Sequence, residues 1–279
     1  MTFNYVLRFR APDQPGILAR VTHQVAKHGC DIRGAGVYGD DETGSFFCRM
    51  ELTSPVEFED LRSVLQPVAD DLALDFELKD MGNKQRILIA VSKFGHCLSD
   101  LIYKQQLGQL PVEIVGVVSN HETMRKYVEW HGLSYHHLPM DQGKAAQEDA
   151  FMSIIEDSGA ELVVLARYMQ ILSDDFSRRL AGRCINIHHS FLPSFKGAKP
   201  YHQAHARGVK IIGATAHFVT ADLDEGPIIE QDVRRASHAV SAEEMVAIGR
   251  EIEASVLSRA VRWYCENRIF LNGRKTVVL

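Results

Sequence analysis

Arg86-Ile87-Leu88-Ile89-Ala90-Val91 is a continuous apolar run behind a single arginine. A run of this length without polar alternation reads as a β-strand buried on both faces, the habit of parallel strands covered by helices. The chain beyond it keeps alternating. A helical stretch over Leu98–Leu107 precedes a strand at Val112–Val118. A helix near Thr123–His131 leads to a short strand at Ser134–Leu138. A helix over Ala145–Asp157 precedes a strand at Leu162–Ala166. Strands alternating with helices predict a doubly wound α/β sheet, whose ligands sit beyond the carboxyl ends of the strands. A last helix is predicted from Ser241, with Glu244 three residues on to close a capping box and Met245, Ile248, Ile252, Leu257 and Val261 facing the sheet.

Upstream of the decisive run, Lys79-Asp80-Met81-Gly82-Asn83-Lys84-Gln85 is a polar bridge with one glycine. It divides the chain into domains 1–82 and 83–279. The first domain reads as strand (Tyr5–Phe9), helix (opened by Asp13-Gln14-Pro15-Gly16) and strand (Asp31–Tyr38). A strand (Ser45–Leu52), a helix (Pro55–Val68) and a strand (Leu72–Leu78) follow. The order βαββαβ makes an antiparallel sheet with two helices on one face. In Asp13-x-Pro15-Gly16 the plain structural reading is a helix start, with Asp13 as cap and Pro15 fixing φ.

The 279 residues suit two domains, with 46% apolar and 24% charged side chains. The net charge of -5 comes from interspersed signs, which disfavours nucleic acid and anionic membranes as partners. Cys30, Cys48, Cys97, Cys184 and Cys265 are odd in number and form no CxxC pair, so neither a disulfide framework nor a structural zinc site is expected. The first residues show no leader pattern and no window is apolar enough to span a bilayer. The expectation is a reduced, cytoplasmic protein.

Two stretches are unlike scaffold. Cys184-Ile185-Asn186-Ile187-His188-His189-Ser190-Phe191-Leu192-Pro193 begins as a strand yet carries an amide and two imidazoles. Thr215-Ala216-His217-Phe218-Val219 presents another histidine and is followed by Asp222-Leu223-Asp224-Glu225-Gly226-Pro227. Strand alternation puts Asn186 and His188 on one face. An amide donor beside an imidazole suits polarising a carbonyl and stabilising its oxyanion, and Asp224 suits setting the imidazole's protonation or taking a proton. The plainer readings are a satisfied core histidine for His217, a solvated turn for Asp222, Asp224 and Glu225, and a turn-shaping role for His189 and Ser190. A metal on His188, His189 and His217 is disfavoured by the absence of HExxH or HxExxH spacing and by Asn186, a poor zinc ligand. No metal is expected.

Asn186-x-His188 with Ser190-Phe191-Leu192-Pro193-Ser194-Phe195-Lys196-Gly197, then His217-Phe218-Val219 and Asp224-Glu225-Gly226-Pro227, resembles the folate-dependent formyltransferase family across about 150 residues. The resemblance implies a Rossmann-like formyltransferase domain with Asn186, His188 and Asp224 as catalytic residues and His217 near the formyl group. It also implies a folate pocket at Met169, Ile171, Leu172, Asp222 and Gly226. Gln170 stands where the family usually has arginine. The first domain resembles an ACT domain, a ferredoxin-like fold, which implies pairing into a homo-oligomer and an amino-acid effector near Asp13 and Gly16, with glycine or methionine plausible.

An ACT-like domain ahead of a formyltransferase-like domain resembles the formyltetrahydrofolate deformylases. It implies hydrolysis of 10-formyltetrahydrofolate to formate and tetrahydrofolate with no tightly bound cofactor. Val91-Ser92-Lys93-Phe94-Gly95-His96-Cys97 fits, because one glycine and the bulky Phe94 offer little cradle for a ribonucleotide phosphate. The alternatives are transfer of the formyl group to an amine acceptor, and a catalytically silent amino-acid sensor.

Overall fold

The computed structural model describes residues 2–141, 143–191 and 200–279. It contains two compact units: Met1–Lys84 with Glu266–Asn272 and Thr276–Leu279, and Gln85–Cys265 with Gly273–Lys275. The boundary read at 82/83 lies two residues before this division, and residues after Cys265 count mostly with the first unit.

The first unit runs β1 (Phe3–Pro12), α1 (Ile17–Lys27), β2 (Asp31–Asp40), β3 (Ser45–Ser54), α2 (Phe58–Asp71) and β4 (Asp75–Asp80). Its sheet has the order β2-β3-β1-β4, antiparallel at each pairing. Alternation on β1 sends Tyr5, Leu7 and Phe9 into one core with Val21 and Val25 of α1 and Leu61 and Leu65 of α2. The helix start differs from the expectation. Gly16, at φ 90°, is the N-cap of α1, which has no side-chain cap, so Asp13 does not cap it. Glycine suits that left-handed corner because it has no Cβ to clash. Strand β4 also begins later than read, because α2 continues through Pro67 to Asp71 and buries Leu72 just past its end.

The second unit follows as β5 (Gln85–Val91), α3 (His96–Gln106), β6 (Val112–Ser119), α4 (Arg125–Trp130), β7 (Tyr135–His137), α5 (Lys144–Ser158), β8 (Leu162–Leu165), α6 (Asp174–Arg179), β9 (Cys184–His188), α7 (Pro200–Ala206), β10 (Ile211–Phe218), β11 (Ile228–Arg235) and α8 (Ala242–Cys265). Seven strands lie in the order β11-β10-β9-β8-β5-β6-β7. The five from β9 to β7 are parallel, and β10 and β11 add on antiparallel. Strand β5 is central, and Ile87 through Val91 are fully buried. Leu88 and Ala90 pack with Phe151, Ile155 and Phe176. The capping box forms: Ser241 N donates to Glu244 Oε2 at 2.7 Å, and Glu244 N to Ser241 Oγ at 3.1 Å.

The chain closes with a hairpin, β12 (Ile269–Asn272) and β13 (Lys275–Val278), turned at Gly273 with φ 61°. Its first strand belongs to the first unit. Arg8 donates to the Ile269 carbonyl at 2.8 Å and lies 4.4 Å over the Phe270 ring, and Phe270 meets Phe47 edge-on at 5.6 Å.

Leu88 is fully buried among aromatic and aliphatic neighbours, so Leu88→Ala should cost about 2–5 kcal/mol, the range for leucine truncation in a core that cannot collapse. Urea unfolding of the two proteins measures it, and a cost under about 1 kcal/mol would contradict the described packing.

Candidate active site

The chain leaves β5 for β6 and β7 on one side, then returns to place β8 and β9 on the other. This reversal opens a crevice at the carboxyl ends of β5 and β8. Ser92, one residue past β5, ties the strand ends together. Its hydroxyl donates to Asn120 Oδ1 at 2.7 Å and accepts from Met169 N at 3.0 Å, while its own N–H reaches the Arg167 carbonyl at 3.3 Å. The segment after β8 is thereby fixed as one wall of a cavity of about 420 Å³. Met169, Ile171 and Leu172 line that wall, Asn186 and His188 the floor, and His217, Asp222 and Asp224 the opposite side. The size and mostly apolar lining with a few converging polar groups fit a small-molecule site. Gly226 does not line the cavity.

Register brings the polar groups together. Strands β9 and β10 pair with His217 opposite Asn186 and Thr215 opposite His188. His217 is buried, and its Nδ1 lies 2.8 Å from the Phe218 carbonyl. A carbonyl only accepts, so Nδ1 carries the hydrogen and Nε2 is left as an acceptor. Asn186 Nδ2 donates to that Nε2 at 3.2 Å, which orients the amide and leaves its second N–H unused by this contact. Burial pushes His217 below the usual imidazole range, keeping it neutral and able to accept.

Asp224 faces both imidazoles, its Oδ2 3.2 Å from His188 Nδ1 and its Oδ1 3.7 Å from His217 Nε2. Burial raises the Asp224 carboxyl, but the hydrogen bond and charge of His188 outweigh it and hold the group below its ordinary value. The other His188 nitrogen, Nε2, is 2.9 Å from Ser190 Oγ. Asp224 has φ 57°, a left-handed conformation uncommon outside glycine and typical of backbone held in place by its surroundings. Gly226 explains part of that hold. A Cβ there would lie 1.8 Å from the Phe218 carbonyl and 3.3 Å from His217 Nδ1, so glycine lets the acidic loop press against β10.

The structure thus gathers Asn186, His188, His217 and Asp224, with Met169, Ile171, Leu172 and Asp222 around them. Gly226 lies behind His217, and Asp13 and Gly16 are in the other unit. Phe191 is exposed, whereas Leu192-Pro193-Ser194-Phe195-Lys196-Gly197 lies outside the described residues. Among the lining residues missed from sequence are Arg167, left-handed at φ 66°, and His189. The available signal for both was position just past a parallel strand: His189 directly follows β9, and Arg167 lies two residues beyond β8. His188, His189 and His217 form no metal-type cluster among the described residues. The group that does is His96, Cys97 and Glu253, whose ligand atoms lie within 4.8 Å of one another.

Comparison with known proteins agrees with this architecture. The formyl transferase family model matches residues 85–261 and the ACT domain model residues 5–69. A formyltetrahydrofolate deformylase of Corynebacterium sp. (strain P-1) is 48% identical over 279 residues, covering 99% of this chain and 98% of that protein. A crystal structure of the formyltetrahydrofolate deformylase from Burkholderia mallei superposes with a TM-score of 0.95 at 48% identity, covering 99% of both chains. Glycinamide ribonucleotide transformylase 1 from Symbiobacterium toebii gives a TM-score of 0.67 at 28% identity, covering 74% of this chain and 97% of its own.

Stability should record how dry this site is. Burial, then the positive charges of Arg167 and His188, push His189 down to about 4. An unfolded histidine titrates near 6.5, so between these values the unfolded chain binds the extra proton and stability falls as pH drops. From pH 7 to pH 5 this single group accounts for a loss of about 2 kcal/mol. Urea unfolding at the two pH values, with His189→Gln alongside, checks it. An undiminished pH slope in the variant would refute the assignment.

Proposed function

Because this chain belongs to the formyltetrahydrofolate deformylase family, we infer that it hydrolyses 10-formyltetrahydrofolate to formate and tetrahydrofolate. The observation that carries the reading is the convergence of an oriented amide, an imidazole and an ionised carboxylate at one end of a mostly apolar cavity. That set suits attack on a carbonyl without a covalent nucleophile.

In this reading the folate ring system lies along Met169, Ile171 and Leu172 and beside the acidic loop at Asp222, with Gly226 supporting that loop from behind. The spare N–H of Asn186 donates to the formyl oxygen. His188, held on Asp224, adds positive charge beside the same oxygen as it becomes an oxyanion. Water supplies the new C–O bond, and its proton passes to Asp224, directly or through His188. The tetrahedral intermediate collapses by breaking the C–N10 bond. N10 takes that proton as it leaves, and the formic acid gives its own proton to solvent as formate. His217, near the formyl group, also acts through the Asn186 amide, which it orients. No step requires a metal or a tightly bound cofactor.

The first domain, in this reading, is regulatory. It takes a small amino acid near Asp13 and Gly16, glycine and methionine being the candidates, in a cytoplasmic homo-oligomer formed by paired ACT units. Among the described residues no helix is long and apolar enough to cross a membrane. Adding either amino acid should change turnover in the wild type and not in a Gly16→Val variant; identical rates with and without both would remove the effector assignment.

The catalytic assignment is tested with 10-formyltetrahydrofolate and no amine acceptor. Formate and tetrahydrofolate should appear in equal amounts. Asn186→Ala should lower kcat about 10²–10³-fold, the usual effect of losing an oxyanion donor. Asp224→Asn should lower it about 10²–10⁴-fold while folate binding stays within a few fold. Formate release that waits for an added amine would make the enzyme a transferase, and full activity in Asp224→Asn would exclude Asp224 as the proton acceptor.

A further inference from the structure

Behind the cavity lies a buried polar network that the hydrolysis reading does not use. Glu253 of α8 is 1% exposed. Its Oε1 accepts from the Tyr201 hydroxyl at 2.7 Å, and its Oε2 is 2.7 Å from His96 Nε2 and 3.3 Å from Arg167 Nε. Burial raises this carboxyl, but His96 and Arg167 outweigh burial and keep it ionised. Gly249, one turn earlier on α8, makes room for Tyr201, whose ring would stand 2.1 Å from a Cβ there. His96, Cys97 and Glu253 have the composition of a metal site, but the Arg167 guanidinium already supplies the charge that a cation would bring. The Cys97 thiol is also held protonated by burial.

Arg167 is the unusual member. Its side chain is only 10% exposed, yet it borders the same cavity as Asn186, His188 and His189. The approach to Glu253 is Coulombic without hydrogen-bond alignment, and among the described residues neither Nε nor Nη1, both closed to solvent, has a hydrogen-bond partner. A buried charged group with unmet donors costs free energy unless something completes it. The left-handed backbone at Arg167 adds to that cost. Glu253 steadies the guanidinium by its Nε end, and Nη1, buried beneath the cavity surface, has no acceptor of negative charge among the described residues.

Resting on the hydrolysis reading above, the chemistry of that acceptor follows. Replacing a neutral formamide by a carboxylate creates an anion within this cavity, and a guanidinium is the side chain best matched to a carboxylate. We propose that Arg167 forms a carboxylate subsite that receives the product formate, with Glu253, His96 and Tyr201 as its positioning residues. Formate drawn to the buried guanidinium would complete donors left unmet among the described residues, which favours its separation from the attacking centre at Asn186 and His188. The neutral state of His189, imposed in part by Arg167, leaves the guanidinium as the cation on this wall.

The test uses sodium formate as the probe, on the whole protein and without folate. Titration followed by thermal shift and by line broadening of ¹³C-formate should show saturable binding. Binding should weaken at least about tenfold in Arg167→Met, as losing a charged hydrogen bond implies, and be partly retained in Arg167→Lys. Glu253→Gln should weaken formate binding without abolishing it. Formate affinity unchanged in an Arg167→Met protein that still binds tetrahydrofolate would overturn the proposal, as would equal competition by chloride. Turnover of 10-formyltetrahydrofolate is read on the same samples. Turnover with no formate effect at Arg167 removes the subsite and leaves the activity. Formate binding through Arg167 with no turnover supports the subsite and removes the activity.

Discussion

The pairing register of β9 with β10 is the constraint on which the second unit's chemistry depends. It sets His217 opposite Asn186 and Thr215 opposite His188, so both polar residues of β9 meet partners across one strand boundary. Side chains alternate with period two, and a slip of one residue would turn Asn186 and His188 to the other face. Hydrogen bonds secure the register on either side of the site. His217 Nδ1 is satisfied by Phe218, and Thr215 Oγ1 donates to the Ser190 carbonyl while accepting from Gln231 Nε2 of β11. The two antiparallel strands at the sheet's edge are therefore part of the active site's support.

A dry site needs every buried polar group accounted for. His217 spends both ring nitrogens inside the protein, and Asp224 divides its oxygens between two imidazoles. Low solvation makes each of these contacts count for more, and it also lowers His189 and His217 below their usual range. Backbone conformation follows the same logic. The non-glycine residues Arg167 and Asp224 sit at positive φ on opposite walls of one cavity, and each brings a charge to it. Left-handed backbone at a charged residue persists where surrounding contacts determine it. Here the Ser92 contacts fix the first wall and Gly226 admits the second.

Much of this was legible from the residues. The apolar run at Ile87–Val91 marked a central strand, alternation placed Asn186 and His188 on one face, and Ser241 with Glu244 marked a helix start that forms as a capping box. What escaped depended on distances that no local pattern encodes. Asp13 has the identity of a cap, but the chain turns at Gly16 before its carboxylate can serve. Gly226 looks like an ordinary loop glycine, and only the 1.8 Å that would separate a Cβ there from the Phe218 carbonyl oxygen shows that it is a packing requirement. Arg167 stands at the end of an apolar strand, where a lone arginine reads as a solvated tip; its burial comes from Glu253, 86 residues later in the chain. The closing hairpin did carry a signal, Asn272-Gly273 after the apolar Ile269-Phe270-Leu271 and ahead of Val277-Val278. Its strands of four residues are short beside the long periodic segments on which the sequence reading rests.

Long-range pairs of that kind also explain why α8 matters beyond its length. Its sequence reads as an amphipathic helix with one buried stripe, and Met245, Ile252 and Val261 fill that role. Glu253 lies beside Ile252 on the buried side, where an acidic residue would be destabilising by itself. Tyr201 from α7, His96 from the start of α3 and Arg167 from the end of β8 converge on it, so three separate elements are aligned by one carboxylate. Removing a single partner from such a set leaves the others buried and incomplete, which makes the network cooperative. The helix that closes the hydrophobic core thereby also holds the cation at the cavity wall, and the packing of the unit and the charge of its site rest on the same residues.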